Sequence, residues 1–202
     1  MTSGTPVSYP LTLSATQQPI SRWLFLVKWL LLIPHWIVLV FIGIGVAISL
    51  LITWFSILFT GRYPRGLFDF NVGFLRWCWR VGFYGYEALG TDKYPQFSLA
   101  SDAAYPADLQ VEYSEKIGRL ALINIILAIP HLVILFVFNG GYGKYVGGLI
   151  GLLTFVAGVI NLFTGKYPDG LYKIILGMDR WSYRVAAYVM MMTNKYPPFS
   201  ID

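Results

Sequence analysis

Phe59-Thr60-Gly61-Arg62-Tyr63-Pro64-Arg65-Gly66-Leu67 returns as Phe163-Thr164-Gly165-Lys166-Tyr167-Pro168-Asp169-Gly170-Leu171, with seven of nine residues unchanged at an offset of 104. Other landmarks recur in the same order: Ile33-Pro34-His35 as Ile129-Pro130-His131, Arg76-Trp77 as Arg180-Trp181, Arg80-Val81 as Arg184-Val185, and Lys93-Tyr94-Pro95 as Lys195-Tyr196-Pro197. The early landmarks are offset by 96 and the middle ones by 104, so the second copy gains 8 residues around Asn139-Gly140-Gly141-Tyr142-Gly143-Lys144. Insertions are tolerated in loops. The chain reads as two tandem copies, residues 1–102 and 103–202, with a pseudo-symmetric architecture.

Upstream of the repeated loop, Trp23 to Phe59 is almost unbroken apolar sequence. A membrane span needs about 20 residues, so this stretch has room for two. The glycine-rich insertion breaks the matching stretch of the second copy, and by analogy Gly43-Ile44-Gly45 is expected to turn the first. The reading places spans near 22–42 and 45–60, then 117–138 and 145–164, each pair a transmembrane hairpin. One long helix over 22–60 is the alternative, and it projects beyond the bilayer at ~1.5 Å per residue.

Downstream, Gly and Pro of the repeated loop break the helix, and a third segment follows near 67–90 and 171–193. Asp69, Gly73, Arg76, Arg80, Tyr84 and Glu87 fall three or four residues apart, as do Lys173, Gly177, Arg180, Arg184 and Tyr188. That spacing gathers them on one helix face and predicts an amphipathic helix in the membrane interface. A third span with arginines facing a polar interior is the rival. With in-plane third helices, 14 of the 15 Lys and Arg residues lie on or beside one side and Lys144 lies opposite. The positive-inside rule then makes that side, with both termini, cytoplasmic. The fold class is an all-α integral membrane protein. Tyr9 to Thr16 and Tyr105 to Tyr113 alternate enough to form short extended segments that pair across the pseudo-symmetry.

Composition agrees. Of 202 residues, 56% are hydrophobic and 12% charged, and the mean hydropathy is +0.60; soluble domains carry about 25% charged residues. The single cysteine, Cys78, excludes an internal disulfide and Cys-x-x-Cys chemistry. The net charge of +5 is dispersed beside apolar runs. It indicates topology and contact with anionic lipid rather than nucleic acid. The first 21 residues lack the pattern of a signal peptide, so the first apolar segment is expected to remain as an anchor.

Few residues are candidates for chemistry. His35 and His131, the only histidines, each follow a proline. An imidazole there can satisfy polar groups freed by the kink; the sharper alternative is a bis-histidine haem or ligand site. A proton relay lacks an intramembrane carboxylate partner. Arg76, Arg80, Arg180 and Arg184 are candidates for lipid phosphate or partner contact, or for snorkelling and ion pairing. Trp77 and Trp181 suit an interfacial belt. Gly61, Pro64, Gly66, Gly165, Pro168 and Gly170 are read as structural turns. Lys28 is expected to snorkel to the surface; its counterpart, Asn124, leaves it outside any symmetric site. No nucleophile–base pair or carboxylate dyad appears at mechanistic spacing, and no metal site is expected.

Ser21-Arg22-Trp23-Leu24, Lys28-Trp29-Leu30-Leu31, Ile33-Pro34-His35, the stretch from Phe59 to Phe68, Arg76-Trp77 and Tyr196-Pro197-Pro198-Phe199 together resemble the domain-of-unknown-function family numbered 4389. The resemblance covers nearly the whole chain in two copies. It implies a bacterial, often actinobacterial, inner-membrane protein and carries over no catalytic residues. The functional expectation is a non-enzymatic membrane module. It would be a scaffold or accessory subunit that contacts anionic lipid, another membrane protein or a second copy. A small duplicated transporter or channel, and a haem-binding electron-transfer subunit, are the alternatives.

Overall fold

The computed structural model describes residues 9–140 and 148–201. Strand β1 (Leu11–Ala15) precedes a 3-10 turn (Leu24–Leu26), helix α1 (Lys28–Thr60) and helix α2 (Arg65–Tyr84). Strand β2 (Ala107–Val111) leads into a second 3-10 turn (Arg119–Ile123), then α3 (Asn124–Leu127), α4 (Ile129–Asn139), α5 (Leu149–Thr164) and α6 (Asp169–Val189).

Helix α1 corrects the hairpin expected in the first copy: it runs unbroken for 33 residues. Gly43 and Gly45 do not turn the chain. A Cβ on either would meet the Phe74 ring at 3.9 Å and the Phe70 ring at 3.4 Å, respectively, an ordinary van der Waals distance, so both positions lie inside the contact between α1 and α2. Pro34 is accommodated inside the helix. Lys28, Leu32, His35, Leu39, Val46, Ser49, Thr53 and Ile57 are buried. Their three-and-four spacing makes one stripe, and that stripe carries the polar residues. The outward face is Trp, Leu, Ile, Val and Phe. In the second copy the corresponding segment is bent by 49° between Arg119–Leu127 and Ile129–Asn139. The expected turn of its hairpin, with Lys144, lies outside the described residues.

Helices α2 and α6 are amphipathic, as the spacing predicted, but they do not lie as lone helices on an interface. Each packs against a long apolar element on one side and against the strands on the other. Trp79, Arg80, Phe83 and Ile175 are fully buried there. Strands β1 and β2 pair antiparallel across the two copies, with Leu13 opposite Leu109. Leu11, Leu13, Ala107 and Leu109 face the helices, while Thr12, Ser14 and Gln110 are exposed.

The two copies are related by a pseudo-twofold. The start of α1 meets the end of α5, where Asn161 donates to the Ser21 carbonyl (3.4 Å). The end of α1 meets the start of the second copy, where the Ile117 amide donates to the Gly61 carbonyl (3.0 Å) and Arg119 to that of Leu58 (3.2 Å). The long apolar elements therefore run antiparallel. An axis that exchanges them, and exchanges two antiparallel strands, is perpendicular to both layers. It passes through Leu13–Leu109 and the Trp79–Tyr183 contact (5.6 Å). The order along the axis is strand ribbon, amphipathic helices, then long apolar helices.

Candidate functional site: paired histidine cages and an apolar face

The prolines and histidines of the two copies build the same enclosure twice. His35 is fully buried, and its Nδ1 accepts a hydrogen bond from Trp77 Nε1 at 3.0 Å. His131 is also fully buried, and its Nδ1 accepts from Trp181 Nε1 at 3.0 Å. A ring nitrogen that accepts carries no proton, so each imidazole is neutral with its hydrogen on Nε2. Phe97 stacks on His35 at 3.9 Å, with Tyr94 at 5.0 Å. Phe199 stacks on His131 at 4.0 Å, with Tyr196 at 4.9 Å.

The lids come from the repeated Lys-Tyr-Pro-x-Phe-Ser segment. Tyr94 donates to the Leu31 carbonyl (2.9 Å) and Tyr196 to that of Leu127 (3.3 Å). Both carbonyls lie three residues before the kinking proline. The tyrosine thus serves the kinked turn that the histidine was expected to serve, and the histidine instead ties the long helix to α2 or α6. Beneath each lid a glycine gives the strap room. A Cβ on Gly73 would lie 2.8 Å from Leu99 Cβ, and one on Gly177 would lie 2.3 Å from the Ile201 carbonyl oxygen. Tyr94, Phe97, Tyr196 and Phe199 carried the needed signal, an invariant spacing in both copies, but sequence reasoning used them as landmarks alone.

Lys28 does not snorkel outward. It is fully buried, donating to the Thr91 carbonyl (2.7 Å), pairing with Asp92 (2.9 Å) and lying 4.4 Å from the Tyr84 ring centre. Asn124 occupies the equivalent place and donates to the carbonyls of Thr193 (3.1 Å) and Tyr188 (2.8 Å). The position is symmetric although the residue is not: both side chains cap the carbonyl that follows α2 or α6.

The arginine candidates are placed as follows. Arg76 pairs with Asp108 (2.9 Å) and donates to the Leu109 and Leu99 carbonyls (both 2.9 Å), fixing β2 to α2. Arg80 is fully buried and donates to the Ser98 carbonyl. Both guanidiniums are engaged by groups of the first copy and of β2. Arg184 lies 6.0 Å from the Tyr9 ring, and Arg180 is half-buried on α6. Trp77 and Trp181 are buried in the cages rather than set in a surface belt. Exposed aromatics are instead Trp23, Trp29, Trp36, Tyr94 and Tyr196. Gly61 (φ 67°) and Gly165 (φ 70°) end their helices in left-handed conformation, Pro64 and Pro168 open α2 and α6, and nothing crowds Gly66 or Gly170.

One half-buried polar group, Glu87, breaks the symmetry. Glu87 accepts from the Tyr183 hydroxyl (3.2 Å), and a Cβ on Gly82 would collide with its carboxylate. Burial pushes the Glu87 carboxyl up to about 7. Asp179, itself 2% exposed, is raised by burial and then by the charge of Glu87. A cavity of about 290 Å³ reaches Glu87 between Trp29, Trp36, Phe138 and Ile150. No group of three or more metal-ligating side chains occurs among the described residues.

The donor geometry does not fit haem. Axial ligation needs an unprotonated imidazole nitrogen facing the iron. Here each Nδ1 is already engaged by a tryptophan of its own copy, and each Nε2 is sealed inside. The largest accessible feature is apolar. Trp29, Ile33, Trp36, Val40, Ile44 and Phe55 of α1 are all exposed, and so are Ile129, Val133, Phe136 and Phe155 of the second copy. Helix α1 is long and apolar enough to cross a membrane.

The family described as Domain of unknown function (DUF4389) matches the chain twice, over residues 22–98 and 121–200. No curated protein and no solved structure matches it.

Proposed function

The chain belongs to the domain-of-unknown-function family 4389, in two tandem copies, and on that premise we propose that it is a non-enzymatic module of the bacterial cell membrane. It serves as a scaffold or accessory subunit of a membrane or envelope assembly and contacts anionic lipid, with both termini on the cytoplasmic side. The observation that carries the reading is the apolar face of α1 and its counterpart. Exposed apolar surface of this extent marks a membrane or partner contact. The polar groups inside the fold support it: the buried histidines, Lys28 and Arg80, and the half-buried Arg76, all hold parts of the fold to one another.

The test is membrane fractionation of the full chain in a bacterial host, with alkaline carbonate washing, followed by crosslinking in cells. The reading expects the protein to stay in the washed membrane and to yield a reproducible crosslinked partner. Release into the soluble fraction would overturn the membrane assignment, and an isolated monomer in every crosslinking condition would overturn the scaffold role.

A further inference from the structure

We infer that the two long apolar elements lie flat in a single leaflet, side by side and antiparallel, with the strand ribbon facing water. This deepens the membrane reading above and rests on it. The partner is the hydrocarbon of one leaflet with anionic headgroups at its rim.

Length argues first. From Trp29 to Thr60, α1 carries no charged residue. That is a rod of about 46 Å at the helical rise, against a hydrocarbon thickness of about 30 Å. Matching that thickness by tilt alone takes about 50°, whereas spanning helices tilt by roughly 0–40°.

Symmetry argues second and more strongly. The pseudo-twofold crosses the long helices at mid-length and passes through the ribbon at Leu13 and Leu109. If α1 crossed the bilayer, the ribbon would sit at mid-depth. Exposed Thr12, Ser14 and Gln110, with the outer edges of a two-stranded sheet, would then meet hydrocarbon. Unsatisfied backbone and open sheet edges are not tolerated there. Laid flat, the same molecule puts the axis along the membrane normal and the ribbon in water.

Charge argues third. Exposed Arg22 and Lys166 sit at one end of the apolar pair, and exposed Arg62, Lys116 and Arg119 at the other. Basic residues beside a buried apolar face hold a surface-embedded helix against anionic headgroups.

The experiment uses the full chain with Cys78→Ser and single spin-labelled cysteines along the exposed face of α1, at Ile33, Ile44, Leu51 and Phe55. It is reconstituted in vesicles of phosphatidylcholine with and without phosphatidylglycerol. Comparing collision with oxygen and with a water-soluble nickel chelate gives the depth of each label. The inference expects a flat depth profile, and labels at Ser14 and Ser114 exposed to water on the same side as one at Lys166. A profile deepest at Ile44, with Ser114 and Lys166 on opposite sides, would overturn it in favour of crossing. Labels shielded from both reagents would overturn it in favour of a second copy covering the face. Failure of the protein to float with vesicles of either composition would sink the membrane reading itself, a different outcome from both.

Discussion

Substituting the paired residues of one cage tests whether the histidines are structural. Trp77→Phe removes the indole N–H and leaves His35 Nδ1 a buried acceptor without a partner. His35→Phe leaves the Trp77 donor unpaired at the same 3.0 Å contact. An unsatisfied buried polar group costs about 1–3 kcal/mol, while replacing both partners by apolar groups of similar shape can be nearly neutral. Each single change is therefore expected to destabilise by about 2 kcal/mol. The double change should cost less than the sum, with a coupling of about 1–2 kcal/mol. Unfolding in mixed micelles, followed by circular dichroism, measures all four corners of the cycle, and the His131–Trp181 pair should reproduce it. Singles that add to within about 0.5 kcal/mol, the range for independent sites, would refute the reasoning. Nitrogen NMR supplies an independent check: His35 should show a bare Nδ1 and a protonated Nε2, and the reverse tautomer would exclude the drawn bond.

Further expectations concern stability, each read by the same unfolding assay. Gly73→Ala and Gly177→Ala should each destabilise by about 1–3 kcal/mol through overpacking, because the strap backbone or Leu99 stands within 3 Å of the added carbon; wild-type midpoints for both would refute the close approach. Gly61→Ala, at φ 67°, should cost about 1–2 kcal/mol from left-handed strain. Lys28→Met removes the ion-pair partner of Asp92, which keeps the Ser21 amide, and the donor to the Thr91 carbonyl, and it should be more damaging than Asn124→Leu in the same assay. Glu87 has its folded carboxyl raised from 4.5 to about 7, so the folded state binds the proton more tightly. Its contribution is complete below about pH 4.5 and is lost as pH rises through about 7. That amounts to roughly 3 kcal/mol; Glu87→Gln should flatten the profile across that window, and an unchanged slope would show that Glu87 does not control it.

The duplication, the paired strands and the amphipathic third helices were legible because each leaves a periodic trace. Leu11 and Leu13 alternate with polar neighbours, as Leu109 does, and repetition fixed which segments correspond. The hairpin in the first copy was misread for a physical reason. Glycines occur both in turns and inside packed helices, and local sequence cannot say that Phe70 and Phe74 pack against this stretch. Lys28 was misread because its partners, Asp92 and the Thr91 carbonyl, lie more than sixty residues away. The cages were half legible: His35 and Trp77 stood out, but their union depends on an antiparallel return of α2 along α1 that no local pattern encodes.

The positions where the copies differ are as informative as those they share. Lys28 and Asn124 perform one task, capping a carbonyl after the amphipathic helix, with and without a charge. The charge of Lys28 answers Asp92, so the substitution altered a pair rather than a single residue. Glu87 and Asp179 have no such complement. Asp179 is buried and raised by burial and then by the charge of Glu87, and the hydroxyl of Tyr183 is the bonded donor to Glu87. A fold that needed two identical halves would gain nothing from that imbalance. The symmetric elements, cages, straps and ribbon, are what hold the layers together. Glu87, reached by a cavity lined by residues of both copies, has no counterpart in that shared framework, so the two halves are equivalent in what holds them together and differ in the one carboxylate that this cavity reaches.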